Sequence, residues 1–480
     1  MAGSDRACAR TNTVDARIKP CAGACVGLSS GLSTMSCCRE FMRKIKSLFE
    51  LRDEELAPTL LMAAYFFLVI TTFWMLKPIK KSVFLGFYGA HPFTFALGPL
   101  HTQLDGAQAE LVAKVLNMIV AGLAAMLFVA LARRHRREWL TYVLGSLFVV
   151  GFGAFSQVVN GPGELTVWAF YLFGDLFNML MIAAFFAYLN DSVSPDVARR
   201  IYAFIVLGGV LGGVFGSTVV KACISVLPTS VWLWTASVAT LGIVVIAFTV
   251  ARLGLPGRTG NDGVMLTATF KGTAGGRVVA SSPYLCAIAG IVAIYEIVST
   301  VMDFQFSATL SHYLRGPEIG EQLASVFLVT NVASLLIQLL LTRFVMQRLG
   351  VGVALSVLPF VVLVVAGGFA LMPLLWVGSS MSIADNALHY SMNQSARESL
   401  YVPTGAEKYQ AKAFIDIFVQ RSAKALGVLL SLAMSVFISD DLTAVRSLSL
   451  VVVGLAFVWL WVARYAGARF DELSSSAPAE

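Results

Sequence analysis

Apolar stretches of about 20 residues recur along nearly the whole chain, and no other feature constrains the fold as tightly. A helix of that length crosses the roughly 30 Å hydrocarbon core of a bilayer. Inside lipid, every backbone N–H and C=O must be bonded within the protein, which leaves helices and closed barrels. The stretches are too long for barrel strands of about 9–11 residues, so the expectation is an all-α integral membrane protein. About twelve spans can be placed. The first six are 57–76 or slightly beyond, 108–132, 139–158, 164–190, 201–226 and 231–252. The other six are 284–310, 321–346, 350–370, 372–397, 409–437 and 444–467. Composition agrees: 57% of residues are hydrophobic and only 13% charged, with mean hydropathy +0.77. A water-soluble domain carries about 25% charged residues, so the polar surface such a body needs is missing here.

A polar segment rich in Gly and Thr, 253–283, separates six spans from six and is the expected cytoplasmic linker. Basic loops follow the second span (Arg133, Arg134, Arg136, Arg137) and the eighth (Arg343, Arg348), which suggests two related halves. Two six-helix bundles, 57–252 and 284–467, around a central cavity make a major-facilitator-like architecture. Residues 1–38 are a disordered or non-native extension in this reading. Residues 39–56 form a basic amphipathic helix at the membrane surface, and 468–480 a polar tail. The net charge of +7 follows from the enrichment of Lys and Arg in cytoplasmic loops, with both termini cytoplasmic, and not from nucleic-acid binding. Lys77, Lys80 and Lys81 break that pattern at the far end of the first span, unless they lie inside the protein. Five of seven cysteines precede the first span. Their odd number argues against a disulfide framework, and Cys21 and Cys25 have no histidine nearby, so neither metal nor cofactor is expected.

Ionisable groups in mid-bilayer cost about 3 kcal/mol or more and usually face a cavity. Asp175 falls in the middle of the fourth span and Glu296 in the middle of the seventh. Asp303 lies seven residues beyond Glu296, on the same helix face. Asp385, Asn386, His389, Asn393 and Arg397 run down the tenth span, and Lys412, Asp416, Arg421 and Lys424 enter the eleventh. Local pairs such as Lys412 with Asp416 explain some of these charges. Taken together they outline a polar cavity, and its cations (Lys77, Lys80, Lys81, Lys412, Arg421) suit an anionic substrate through charge-assisted hydrogen bonds. Gly208, Gly212 and Gly216, with Gly209 and Gly213, are a close-packing stripe on the fifth span or a sliding contact.

Two tracts, Tyr390–Pro403 and Glu407–Gly427, give the chain a resemblance to the ATP/ADP translocases of intracellular bacteria and plastids. The order is the family's: Tyr390-Ser391, Arg397-Glu398, Tyr401-Val402-Pro403, then Lys412, Ile415-Asp416, Arg421 and Lys424. Leu76–Ser82, Asp175 with Asn190-Asp191, and Tyr295–Val298 are weaker matches. The resemblance implies that two lysines and two acids are needed for transport. By position these are Lys80 and Lys412, Asp175 and Glu296. Asp175 stands where the family has Glu, Lys81 where it commonly has an acid, and Lys77-Pro78 replaces an Arg-Asp pair, which marks a divergent branch.

The resulting expectation is a secondary transporter that exchanges nucleotides, ATP for ADP, by alternating access. Its substrate-binding residues would be Lys80, Asp175, Glu296, Lys412, Lys77 and Arg421. It would sit in a bacterial inner membrane or, second, a plastid-type envelope. The alternative is a proton-coupled major-facilitator-type carrier of another anionic solute. No Walker loop, His-Glu-x-x-His pair or nucleophile elbow is present to suggest an enzyme.

Overall fold

The computed structural model describes residues 53–97, 100–193, 195–253, 272–437 and 442–476. The expected extension, nearly all of the amphipathic segment and most of the linker lie outside the described residues. Thirteen helices are labelled here in chain order. They are α1 (Asp53–Ala90), α2 (Gly106–Arg134), α3 (Arg137–Val158), α4 (Glu164–Ser192), α5 (Pro195–Cys223) and α6 (Thr229–Leu253). A short α7 (Gly272–Ser281) comes from the linker region. Then follow α8 (Pro283–Tyr313), α9 (Pro317–Arg348), α10 (Val351–Leu371), α11 (375–399), α12 (408–437) and α13 (Leu442–Ser476). A two-stranded antiparallel hairpin, β1 (Phe93–Leu97) with β2 (Leu100–Leu104), joins α1 to α2.

Helix ends follow local chemistry. Asp105 and Gln108 form a reciprocal capping box that starts α2. Ser282 caps α8, and Pro283 and Pro317 occupy first-turn positions, where a missing N–H costs nothing.

Eleven helices are long and apolar enough to cross a membrane among the described residues. The expected tenth span is not one of them. It is the helix α11, whose Asp385, Asn386, His389, Asn393 and Arg397 lower its hydropathy. The first span also differs from expectation. α1 has 38 residues, hence is about 57 Å long, and continues through Pro78 to Ala90, far more than slightly beyond residue 76. The segment Lys77–Lys81 is therefore mid-helix, and Lys80 and Lys81 are each only 6% exposed. Protein, not the membrane surface, surrounds these lysines, and that explains the break in the charge pattern. At the other end of the chain, α13 runs to Ser476, so helix occupies part of the expected tail.

α1 packs on α4, α5 and α6, while α3 packs on α4 and α6. On the other side α13 packs on α8 and α10, α12 on α8, and α11 on α8, α9 and α10. The two sets meet through α5 and α1 on α9, and through α2 on α8 and α12. A cluster of Trp74, Leu85, Phe306, Leu310, Leu323 and Phe327 fills part of that seam.

The glycine stripe of α5 lies on α1. A Cβ at Gly208, Gly212 or Gly216 would come within 2.7, 2.4 or 2.6 Å of the carbonyl oxygens of Ala63, Phe67 and Thr71. Thr71 donates its hydroxyl to the Gly212 carbonyl at 3.1 Å. Gly208, Gly212 and Gly216 thus form a packing surface within one set, whereas Gly213 beside them faces Asn331 of α9 across the seam.

Three π-helical stretches interrupt the second set: Ile337–Thr342 in α9, His389–Asn393 in α11 and Ile415–Val419 in α12. Such stretches are rare and concentrate at functional sites.

Candidate functional site

The first structural group forms where α1 meets α2 and α4. Lys80 is ion-paired with Asp175, and Asn117 of α2 donates to the other carboxylate oxygen at 3.1 Å. The Lys80 ammonium also lies 4.5 Å above the Tyr171 ring. Burial of the Lys80 side chain (8% exposed) would be costly for a lone cation, and Asp175 supplies the countercharge.

The next residue of α1, Lys81, enters a second network. Its ammonium donates to Asp303 of α8 at 2.8 Å and lies 3.2 Å from Glu110 of α2. Lys114 is ion-paired with the same Asp303 and lies 3.7 Å from Glu110. The Tyr171 hydroxyl donates to Glu110 at 3.1 Å. Two cations and two anions thus tie α1 and α2 to α8, across the seam, on the side of the molecule that carries the β-hairpin.

Lys77 differs from both neighbours. No carboxylate pairs with it among the described residues; its ammonium lies 4.6 Å from the Trp74 ring and 4.6 Å from the Phe327 ring. Trp74 is shared with a cavity of about 380 Å³. Phe66, Phe73 and Trp74 of α1 and Tyr390 of α11 give it aromatic walls. Asn178 of α4 with Asn331 and Gln338 of α9 supply amides, and the Asn178 Oδ1 is buried with no partner. The Trp74 and Tyr390 rings meet edge to face at 6.2 Å, one from each set of helices.

The remaining expected residues are distributed differently from the expectation. Lys412 is ion-paired with Glu398, not with Asp416, and both members are substantially exposed (38% and 42%). Glu296 is buried and accepts a 2.6 Å hydrogen bond from Gln420, so it does not neutralise Lys412. The reason is helix packing: α12 presents Gln420 to α8, while Lys412 lies two turns away, within reach of the end of α11. Arg421 projects toward α2, where a methyl group at Gly122 would lie 3.5 Å from its Nη1. Asp385 accepts from the Ser299 hydroxyl at 2.7 Å and does not pair with His389, which instead stacks on Tyr295 at 4.2 Å.

Glu110, Lys114 and Asn117 were not among the expected residues. They follow one another at spacings of four and three on α2, a polar stripe in an apolar span, and that periodicity was the available signal.

Residues 365–470 match the TLC ATP/ADP transporter family, and this stretch contains both tracts singled out from the sequence. Over that stretch the chain is similar to the ATP/ADP transporters. The chloroplastic ADP,ATP carrier protein 2 of Arabidopsis thaliana is 23% identical over 447 residues, covering 78% of this chain and 71% of its own. ADP,ATP carrier protein 1 of Chlamydia pneumoniae is 23% identical over 491 residues, covering 87% and 92%. Among solved structures, the nucleoside transporter NupG superposes with a TM-score of 0.61 at 12% identity, over 85% of this chain and 99% of that one. The peptide transporter POT superposes at 0.54 with 15% identity, over 85% and 95%. At such identities these structures show the fold alone, which is major-facilitator-like, as the count and spacing of the spans led one to expect.

Proposed function

We propose that the protein is a secondary carrier that exchanges nucleotides of the ATP/ADP type by alternating access. The observation that carries this reading is the line of lysines along α1 beside an aromatic, amide-lined cavity shared by both sets of helices. From Trp74 to Lys80 the helix advances about 9 Å. A base held among Trp74, Tyr390 and the amides would therefore direct its phosphates along α1 toward Lys77 and Lys80. Phosphate oxygens compete with Asp175 for Lys80 and with aromatic faces for Lys77, through charge-assisted bonds. Arg421 and Lys412 of α12 add cations from the second set, and Glu398 and Asp175 neutralise their partners between substrates. Glu296 supports α12 through Gln420. The network of Lys81, Lys114, Glu110 and Asp303 closes the hairpin side and opens when the two sets rotate.

The bilayer is a bacterial inner membrane or a plastid-type envelope, with both termini on the cytoplasmic side, and no bond of the nucleotide is broken. The test uses proteoliposomes loaded with ADP. They take up labelled ATP with wild-type protein, and uptake is lost with Lys80→Ala. Full uptake by Lys80→Ala removes that residue from the site. Lack of uptake of every nucleotide by folded wild-type protein refutes the reading.

A further inference from the structure

A hydrogen-bond acceptor and a donor, both without partners, converge on one spot of the aromatic cavity. The spot lies at Gly213 of α5. A Cβ placed there would come within 2.9 Å of the Asn331 Oδ1 on α9 and 3.3 Å of the Trp74 Nε1 on α1. All three residues line the cavity. Asn331 is oriented by its own helix: its Nδ2 donates to the Phe327 carbonyl, one turn back, at 2.9 Å. That leaves Oδ1, a pure acceptor, beside Gly213. The indole N–H of Trp74 is a pure donor. Its ring is held edge to face by Phe73, Phe327 and Tyr390 at 5.2, 5.8 and 6.2 Å. Neither Oδ1 nor Nε1 has a hydrogen-bond partner among the described residues. The missing side chain at Gly213 keeps the space between them open.

This pair sorts bases by their edges. Adenine and cytosine present an amino group, which donates, next to a ring nitrogen that accepts. Guanine, hypoxanthine and uracil present a keto oxygen at the corresponding position. We propose that Asn331 is the base-selecting residue: its Oδ1 accepts from the exocyclic amino group while the Trp74 N–H donates to the adjacent ring nitrogen, so that nucleotides of amino bases are carried in preference to those of keto bases. This inference rests on the nucleotide reading and adds to it the edge by which the base is recognised. A keto base in the same seating sets its oxygen against Oδ1. Two acceptors then face each other away from water, and neither is bonded. A site built to bond one group of its substrate rejects an analogue lacking that group more strongly than an apolar pocket does.

The test uses proteoliposomes loaded with ADP. It measures how much external ADP or inosine diphosphate halves the uptake of labelled ATP. The two competitors share ribose and phosphates and differ at the amino or keto edge of the base. With wild-type protein, inosine diphosphate is at least about tenfold weaker than ADP. Asn331→Leu weakens ADP but not inosine diphosphate, which brings the two within about twofold. A merely structural role of Asn331 would weaken both alike and keep the ratio. Asn331→Ala removes the same acceptor without adding bulk, and decides should Asn331→Leu not fold. Equal inhibition by the two competitors in wild type, or the wild-type ratio kept in a folded Asn331 variant, overturns the base-selecting role alone. Trp74→Phe keeps a ring and loses the N–H, and weakens ADP severalfold; unchanged inhibition by ADP overturns the part given to Trp74. Failure of folded wild-type protein to take up ATP overturns the nucleotide reading and this inference with it.

Discussion

Asp303→Asn is the sharpest probe of how the two helix sets are held together. Its carboxylate joins Lys81 and Lys114 of the first set to α8 of the second. The Asp303 side chain is 40% exposed, while Lys81, Lys114 and Glu110 are 8%, 13% and 2% exposed. Fully exposed pairs contribute at most about 1 kcal/mol. Breaking a fully buried pair costs about 3–5 kcal/mol. Asp303 falls between these limits, and Glu110 stays within 3.2 and 3.7 Å of the two lysines after the change, which spares them complete isolation. A loss of about 2 kcal/mol follows for the state closed on the hairpin side, or roughly a thirtyfold shift in the equilibrium between closed and open. Spin labels at Ala90→Cys and Arg315→Cys, on exposed positions of opposite sets, report that opening in nanodiscs by pulsed distance measurement. The wild-type background gives mainly the short distance. Asp303→Asn adds a major long-distance population. An unchanged distance distribution in correctly folded Asp303→Asn protein would refute the idea that this network holds the seam.

Lys80→Gln removes the cation bound by Asp175 and should lower counterflow uptake at least about tenfold; the rate of labelled nucleotide entry measures it. Trp74→Ala opens one wall of the cavity and should raise the half-saturating nucleotide concentration roughly tenfold, consistent with about 1.5 kcal/mol of ring contact, with a smaller change in maximal rate. Gly212→Val drives a side chain into the Phe67 carbonyl and should destabilise by about 1–3 kcal/mol, seen as a lower melting temperature, whereas Gly86→Ala, with open space around it, should not.

How much of this was legible in the sequence depends on the range of the interaction. Spans could be read because each one answers only to the bilayer; their periodic apolar composition needs no partner. The exceptions show what a partner changes. α11 fails the apolar criterion because its polar face, with Asp385 and His389, is covered by α8. α1 outruns its expected end because Lys80 and Lys81 find acids on α2, α4 and α8. Lys80 and Asp175, singled out by the resemblance, are ion-paired, and both lie in the same set of helices. Lys412 and Glu296 do not meet: Gln420, two turns further along α12, occupies Glu296, and Lys412 pairs with Glu398 at the end of α11. The pairing of Lys81 with Asp303 spans 222 residues, and only the packing of α1 on α8 brings it about.

Charge balance in the structure bears on why such a carrier exchanges and does not leak. Lys80 is balanced by Asp175, Lys412 by Glu398, and Lys81 with Lys114 by Glu110 with Asp303. Among the described residues, several of the cavity's cations remain without a paired carboxylate, among them Lys77 from the first set and Arg421 from the second. Aromatic rings at 4.6 Å give the Lys77 ammonium about 0.5–2 kcal/mol apiece, less than a desolvated ammonium needs. A polyanion between α1 and α12 supplies the missing charge to both at once. Rotation of the empty protein would instead carry Lys77 and Arg421 past each other uncompensated. The barrier to that empty return grows with the number of unpaired cations, so removing one of them, by Lys77→Gln, should accelerate unproductive return and convert exchange toward net efflux. Efflux from loaded proteoliposomes into nucleotide-free buffer, compared with efflux into buffer containing ADP, measures the ratio; a ratio unchanged by Lys77→Gln would show that the barrier to empty return lies elsewhere.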